Sequence, residues 1–193
     1  MWCSSSTSSS RLPQAQSHAW RLIDKFLGDG LLAVFGQRHG VEAGCRQALR
    51  AARAIDLALD SVNAKLGVEI SKPLRVGMGI HAGPMLLGRI GYGEAVDLTV
   101  VGNAVNVASR LETVAKQKGF QIVMSADVAG HAGFVDDAGP VLIVNVRGME
   151  APMEVVGIMR GRDLPASILA AAATEGPKTT AQRLKQQEPA ANP

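Results

Sequence analysis

Asp97-Leu-Thr-Val-Val-Gly-Asn-Ala-Val-Asn-Val-Ala-Ser-Arg-Leu-Glu112 is the stretch on which the fold turns. It opens as a β-branched run, Leu98 to Val101, turns at Gly102-Asn103 and continues with helical spacing. Asn106 and Arg110 stand four residues apart, which stacks them on one helical face near the helix start. An amide and a guanidinium fork aimed the same way beside a helix N-terminus suit a phosphate-rich ligand. The same spacing also describes an ordinary solvated helix face, so the neighbouring segments have to decide.

Upstream, Leu74 to His81 alternates, with Leu74, Val76, Met78 and Ile80 on one face. Gly83-Pro84 breaks that strand, Met85 to Ile90 forms another, and Gly91 to Val96 is a turn. Further back, Trp20 to Leu27 and Leu31 to Phe35 make a hairpin around Gly28-Asp29-Gly30. Between these, Val41, Cys45, Ala48, Ala52, Ile55, Leu59, Val62 and Leu66 recur in steps of four and three. That one-sided stripe is a core-packing helix ending near Gly67. Downstream, the helix of the opening stretch runs to Lys118 and stops at Gly119. Phe120 to Met124 is a strand, and Ser125-Ala-Asp127 is a candidate helix cap. Val141 to Arg147 and Met153 to Met159 form a terminal hairpin. The elements predict an α+β, antiparallel-rich sheet with helices on one face.

The opening stretch resembles the signature of class III adenylate/guanylate cyclases. Two further segments carry the same resemblance, in order: Ile23-Asp-Lys-Phe-Leu-Gly-Asp-Gly-Leu-Leu-Ala-Val-Phe-Gly36 and Arg75-Val-Gly-Met-Gly-Ile-His-Ala-Gly-Pro84. The resemblance implies a ferredoxin-like nucleotide cyclase fold over residues 20–160. It also implies ATP converted to 3′,5′-cyclic AMP and pyrophosphate at an interface between two cyclase domains, as a homodimer or a heterodimer. Asn106 then matches the residue that orients the ribose, and Arg110 the one that stabilises charge on the transferred phosphate. Lys25 and Thr99 match the pair that reads the purine. A lysine can donate to adenine N1 but offers guanine N1–H no acceptor, so the pair favours ATP. Arg147 matches a basic residue that holds the terminal phosphates. The family implies two Mg²⁺ or Mn²⁺ ions per site, with Asp29 matching one of its two metal-binding aspartates.

The family's domain begins with a strand, a phosphate-cradling loop and two helices, and the other metal aspartate lies on that strand. Here the place is taken by residues 1–19, which are Ser-rich and contain no Asp or Glu. The expectation is a disordered lead over 1–19, a domain whose first strand and helices are missing, and a flexible tail over 161–193. Three readings stay open: a crippled cyclase, a chain that complements another cyclase domain in trans, and a non-catalytic dimerisation module.

Composition limits the alternatives. Aromatic residues are 4% of the chain and net charge is +3 without a long basic run, which fits nucleic-acid binding poorly. Cys3 and Cys45 form neither a disulfide framework nor a zinc spacing, so a reducing cytoplasm fits. No apolar run reaches the roughly 18 residues of a membrane span, and no signal-peptide pattern opens the chain. His81 has no partner visible in the sequence and reads as structural.

Overall fold

The computed structural model describes residues 2–5, 23–27, 30–36, 40–66, 72–92, 95–133, 139–146, 149 and 151–165. Nine strands and three α-helices occur among them. They are β1 (Trp2–Ser5), β2 (Ile23–Leu27), β3 (Gly30–Val34), α1 (Gly40–Leu66), β4 (Val76–Ile80), β5 (Leu86–Tyr92), β6 (Ala95–Val101), α2 (Asn103–Lys118), β7 (Ile122–Ser125), α3 (Ala126–Ala132), β8 (Val141–Val144) and β9 (Met153–Ile158). A short 3-10 turn, Gly161–Asp163, follows β9.

Seven strands form one mixed sheet in the order β2-β3-β1-β4-β7-β9-β8, while β5 and β6 pair only with each other as a two-stranded ribbon. The α+β class expected from the sequence is the one observed. Two expectations are corrected. Within the stretch read as a disordered lead, Trp2–Ser5 is a strand, and it fills the slot read as missing. It pairs antiparallel with β3 on one side and β4 on the other. The physical reason is that two strand edges facing each other demand backbone partners whatever the side chains are, and a Ser-rich segment can supply them. Residues 6–22 lie outside the described residues.

The second correction concerns the layers. α1 and α3 cover one face, where Cys45, Ala48, Leu49 and Ala52 pack with Met78, Ile80, Ile122, Met124 and Val128. α2 covers the other face: Val107, Leu111 and Ala115 pack with Val123, Val146 and Val155. Helices therefore sit on both faces, because the central strands are apolar on both. β7 is buried at every position, and the consecutive residues Ile122 and Val123 serve opposite layers.

Near its C-terminal end α1 is tied to the end of β9 by a polar cluster. Asp56 is fully buried and accepts from the Gln121 amide at 2.9 Å, from the Arg162 backbone N–H at 3.1 Å and from Arg162 Nε at 2.9 Å. Gln121 in turn accepts from the Gly161 N–H at 2.6 Å. Arg162 reaches on to Asp60. Burial disfavours the Asp56 charge, yet the bonds from Arg162 and Gln121 win and hold the carboxyl below the usual carboxylate range.

Candidate active site

The site is built on α2, and α2 is placed by β4. β4 reads Val76-Gly-Met-Gly-Ile80. Met78 and Ile80 point into the α1 layer. The glycines point the other way, and a Cβ on Gly79 would overlap the Ala108 carbonyl oxygen and the Glu112 amide nitrogen. Removing side chains from one face of the strand lets the helix backbone lie directly on it. The sequence carries this signal as glycine at every second position, Gly77 and Gly79, on the face opposite the apolar alternation.

On α2 so placed, Asn106 is exposed and Arg110 is half-buried, as their spacing predicts. The Arg110 Nη1 atom is buried, and no hydrogen-bond partner reaches it among the described residues. A buried guanidinium donor without an acceptor is costly, and an anionic ligand would satisfy it. The helix start is reinforced by the Val105 N–H donating to the Gly102 carbonyl at 3.2 Å. Asn103 Nδ2 approaches the Met149 sulfur at 3.8 Å, linking the helix to the loop after β8.

Lys25 lies in β2, directly opposite Leu32 of β3. Leu32 pairs with Trp2, and Trp2 pairs with Gly79, so register places Lys25 on the sheet face that α2 covers. β2 is three strands from β4, about 14 Å across the sheet at the usual strand spacing. Lys25 therefore stands well across the sheet from the helix that carries Asn106 and Arg110. Thr99 lies in β6 opposite Gly88. It shares a ribbon face with the next cross-strand pair, Leu86 and Val101, which are 77% and 51% exposed. Asp29 and Arg147 lie outside the described residues, as does the turn Gly28-Asp29 that joins β2 to β3.

A cavity of about 340 Å³ lies elsewhere, on the α1 face, between Phe35, Val41, Cys45 and Ala48 on one side and Ile80, His81 and Leu87 on the other. It contains none of the candidate residues. His81 does have a partner that the sequence did not reveal. Its Nδ1 lies 3.0 Å from Ser125 Oγ, forty-four residues away. Ser125 is therefore engaged with His81, and it makes no side-chain cap for α3. Burial pushes the His81 imidazole below its usual range, with Asp127 opposing.

The family model described as the adenylate and guanylate cyclase catalytic domain matches residues 15–151. The chain belongs to that family. An adenylate cyclase of Anabaena cylindrica is 33% identical over 149 residues, 74% of this chain and 29% of that protein. The solved guanylyl cyclase Cya2 superimposes with a TM-score of 0.61 at 26% identity, covering 73% of this chain and 70% of that one. The adenylyl cyclase CyaB from P. aeruginosa gives a TM-score of 0.53 at 22% identity over 75% and 74%, which supports the fold. The chain spans under a third of the length of the curated relatives that it matches. No helix among the described residues is long and apolar enough to cross a membrane.

Cyclases of this family generally use Mg²⁺ or Mn²⁺. The described residues do not fit a two-cation site. No group of three His, Cys, Asp or Glu that could hold an ion occurs among the described residues. The first strand of the sheet is Trp-Cys-Ser-Ser, with no carboxylate. Glu112, a buried carboxylate on α2, is paired with Lys116 at 2.8 Å.

Proposed function

We propose that this chain is a nucleotide cyclase domain that takes ATP to 3′,5′-cyclic AMP and pyrophosphate, working as one half of a two-domain assembly. The observation that carries the reading is Arg110. Its buried Nη1 has no acceptor among the described residues, and it lies one helical turn beyond Asn106 on a helix fixed to the sheet by Gly79.

The chemistry asked of these groups is modest and balanced. The ribose 3′-oxygen bonds to the α-phosphorus, the bond from that phosphorus to the pyrophosphate oxygen breaks, and the 3′-hydroxyl proton leaves to solvent. Asn106 orients the ribose by an amide hydrogen bond. Arg110 supplies a fixed cation where negative charge grows on the α-phosphate oxygens. Lys25 and Thr99 select adenine by donating to N1 and accepting from the exocyclic amine. Arg147 neutralises the departing phosphates, and Asp29 is the carboxylate available to a cation.

The separation of Lys25 from α2 by three strands, and the exposed Leu86–Val101 pair beside Thr99, support completion of the site by a second domain. That domain is a second copy or another cyclase chain. The absence of a carboxylate on β1 favours the trans-complementing reading over full autonomous activity. The test is conversion of ATP, and separately GTP, by purified protein with Mn²⁺, alone and mixed with a complete cyclase domain carrying Arg-to-Ala at its own Arg110 counterpart. Cyclic AMP formed only in the mixture supports complementation. Failure of Arg110→Ala to lower the product in either format would sink the reading.

A further inference from the structure

Four parts of the chain that are distant in sequence close around the cavity on the α1 face: the end of β3, the first turns of α1, the end of β4 and the start of β5. One wall is set by backbone contact. A Cβ on Gly44 of α1 would stand 2.7 Å from Gly36 Cα, so the helix is locked onto the end of β3 with no side chain between them. The opposite wall is Met85 and Leu87, 36% and 40% exposed, at the start of the ribbon. At about 340 Å³ the space is at the lower end of the range for small-molecule pockets.

The lining says what would fit. Apart from His81 and the Cys45 thiol, every residue of the wall is apolar, and no Lys or Arg contributes to it. Burial pushes the thiol up to about 11, so it stays protonated and packs as a small apolar group. A charge placed in such a lining would have no partner, which is costly, so the fitting occupant is uncharged. His81 supplies the polar anchor. Its Nδ1 is engaged with Ser125 Oγ at 3.0 Å, while its Nε2 makes no hydrogen bond among the described residues. Nε2 lies 3.4 Å from where a Cβ on Gly83 would stand, and Gly83 and His81 both line the cavity, so the missing side chain leaves that edge of the ring uncovered. The Ser125 hydroxyl can accept from Nδ1 or donate to it, which makes Nε2 an acceptor in the first case and a donor in the second. A ligand hydroxyl answers both.

We propose that this cavity binds a compact, uncharged, largely apolar molecule carrying one hydroxyl, of the phenol type, with the hydroxyl on His81 Nε2 and the apolar body between Val41, Cys45 and Leu87. Asn106 and Arg110 do not line it, and the proposal does not depend on the cyclase reading. Such a ligand touches α1 and the ribbon at once, and so ties the ribbon to the body of the domain.

The test is isothermal titration calorimetry of the full chain at neutral pH with two probes of the same ring system, 2-naphthol, which is uncharged, and 2-naphthoate, which is an anion. The expected result is one 2-naphthol per chain with a negative heat-capacity change, and 2-naphthoate at least about tenfold weaker. Val41 is 40% exposed, so Val41→Trp can block the cavity without entering the core, and it should weaken 2-naphthol by at least about tenfold. His81→Phe keeps the lining apolar and removes the hydroxyl's partner, and should weaken 2-naphthol by about tenfold. No binding of 2-naphthol by wild type, equal affinity for the two probes, or unchanged affinity in a folded variant would overturn the proposal. If Val41→Trp does not fold by circular dichroism, Leu87→Trp on the opposite wall takes its place. If His81→Phe does not fold, the two probes and the Trp variant decide.

Discussion

Gly79 of β4 and Ala108 of α2 meet backbone to backbone, with no room for a Cβ between them. The colliding atoms are a carbonyl oxygen and an amide nitrogen of the helix, which cannot rotate aside as a side chain could. Gly79→Ala is expected to destabilise the domain by about 3 kcal/mol, the upper end of overpacking costs, and to shift the helix that carries Asn106 and Arg110. Urea denaturation checks the first effect. A fall in activity under conditions where the variant is still folded checks the second. A variant as stable and as active as wild type would show that α2 does not depend on this contact.

Arg110→Ala separates ground-state binding from transition-state stabilisation. If Arg110 acts on charge that grows during the reaction, kcat falls by about 10²–10³ while KM moves little, as when a preorganised donor is removed elsewhere. Steady-state kinetics of the assembly that makes cyclic AMP give the answer. A change confined to KM would mean that Arg110 only holds the substrate.

Asp56 gives the fold a defined acid sensitivity. Its folded pKa is depressed, so its contribution is complete above the unfolded value near 3.9 and is lost as pH falls through the folded value. Asp56→Ala breaks a buried charged cluster and is expected to cost about 3 kcal/mol at pH 7. The gap between wild type and variant should hold from pH 7 to about 5 and shrink below about pH 4. Urea midpoints at pH 7, 5 and 3 measure it. A gap that stays constant to pH 3 would mean that the Asp56 charge does not stabilise the fold.

Much of this arrangement was legible in local pattern. The four-three stripe from Val41 to Leu66 became α1, and the Asn106–Arg110 spacing became one face of α2. The hairpins appeared with modest shifts; β6 begins at Ala95, in what read as a turn, because strand pairing carries through it. What local pattern could not hold is contact between distant residues. Ser125 finds His81 across forty-four positions, and Asp56 finds Arg162 across one hundred and six. β1 escaped for a different reason. A Ser-rich tetrapeptide has no apolar alternation to read, and its strand state is imposed by the two edges that it bridges.

Cys45 should be chemically silent in the folded domain. Burial, helped by Glu42, pushes its thiol up to about 11. At pH 8 only about a thousandth of such a thiol is ionised, and the thiolate is the reactive form. In a Cys3→Ser background, a thiol reagent should modify Cys45 slowly in buffer and stoichiometrically in urea. Rapid modification of the native protein would place Cys45 at an accessible surface instead of in the α1 layer.

Leu86 tests the assembly. It is 77% exposed and pairs across the ribbon with Val101, itself half open, although two such side chains lose stabilisation of about 1.5–3 kcal/mol each by staying in water. If a second cyclase domain covers them, a charge there is costly in the complex and harmless in the free chain. Leu86→Arg should therefore leave the circular dichroism spectrum and the urea midpoint of the monomer unchanged. It should weaken self-association by at least about tenfold, the equivalent of 1.4 kcal/mol, as measured by analytical ultracentrifugation. Specific activity should become more steeply concentration-dependent in step. Association that is indifferent to Leu86→Arg would move the interface off the ribbon and leave Thr99 without a neighbouring chain to complete its site.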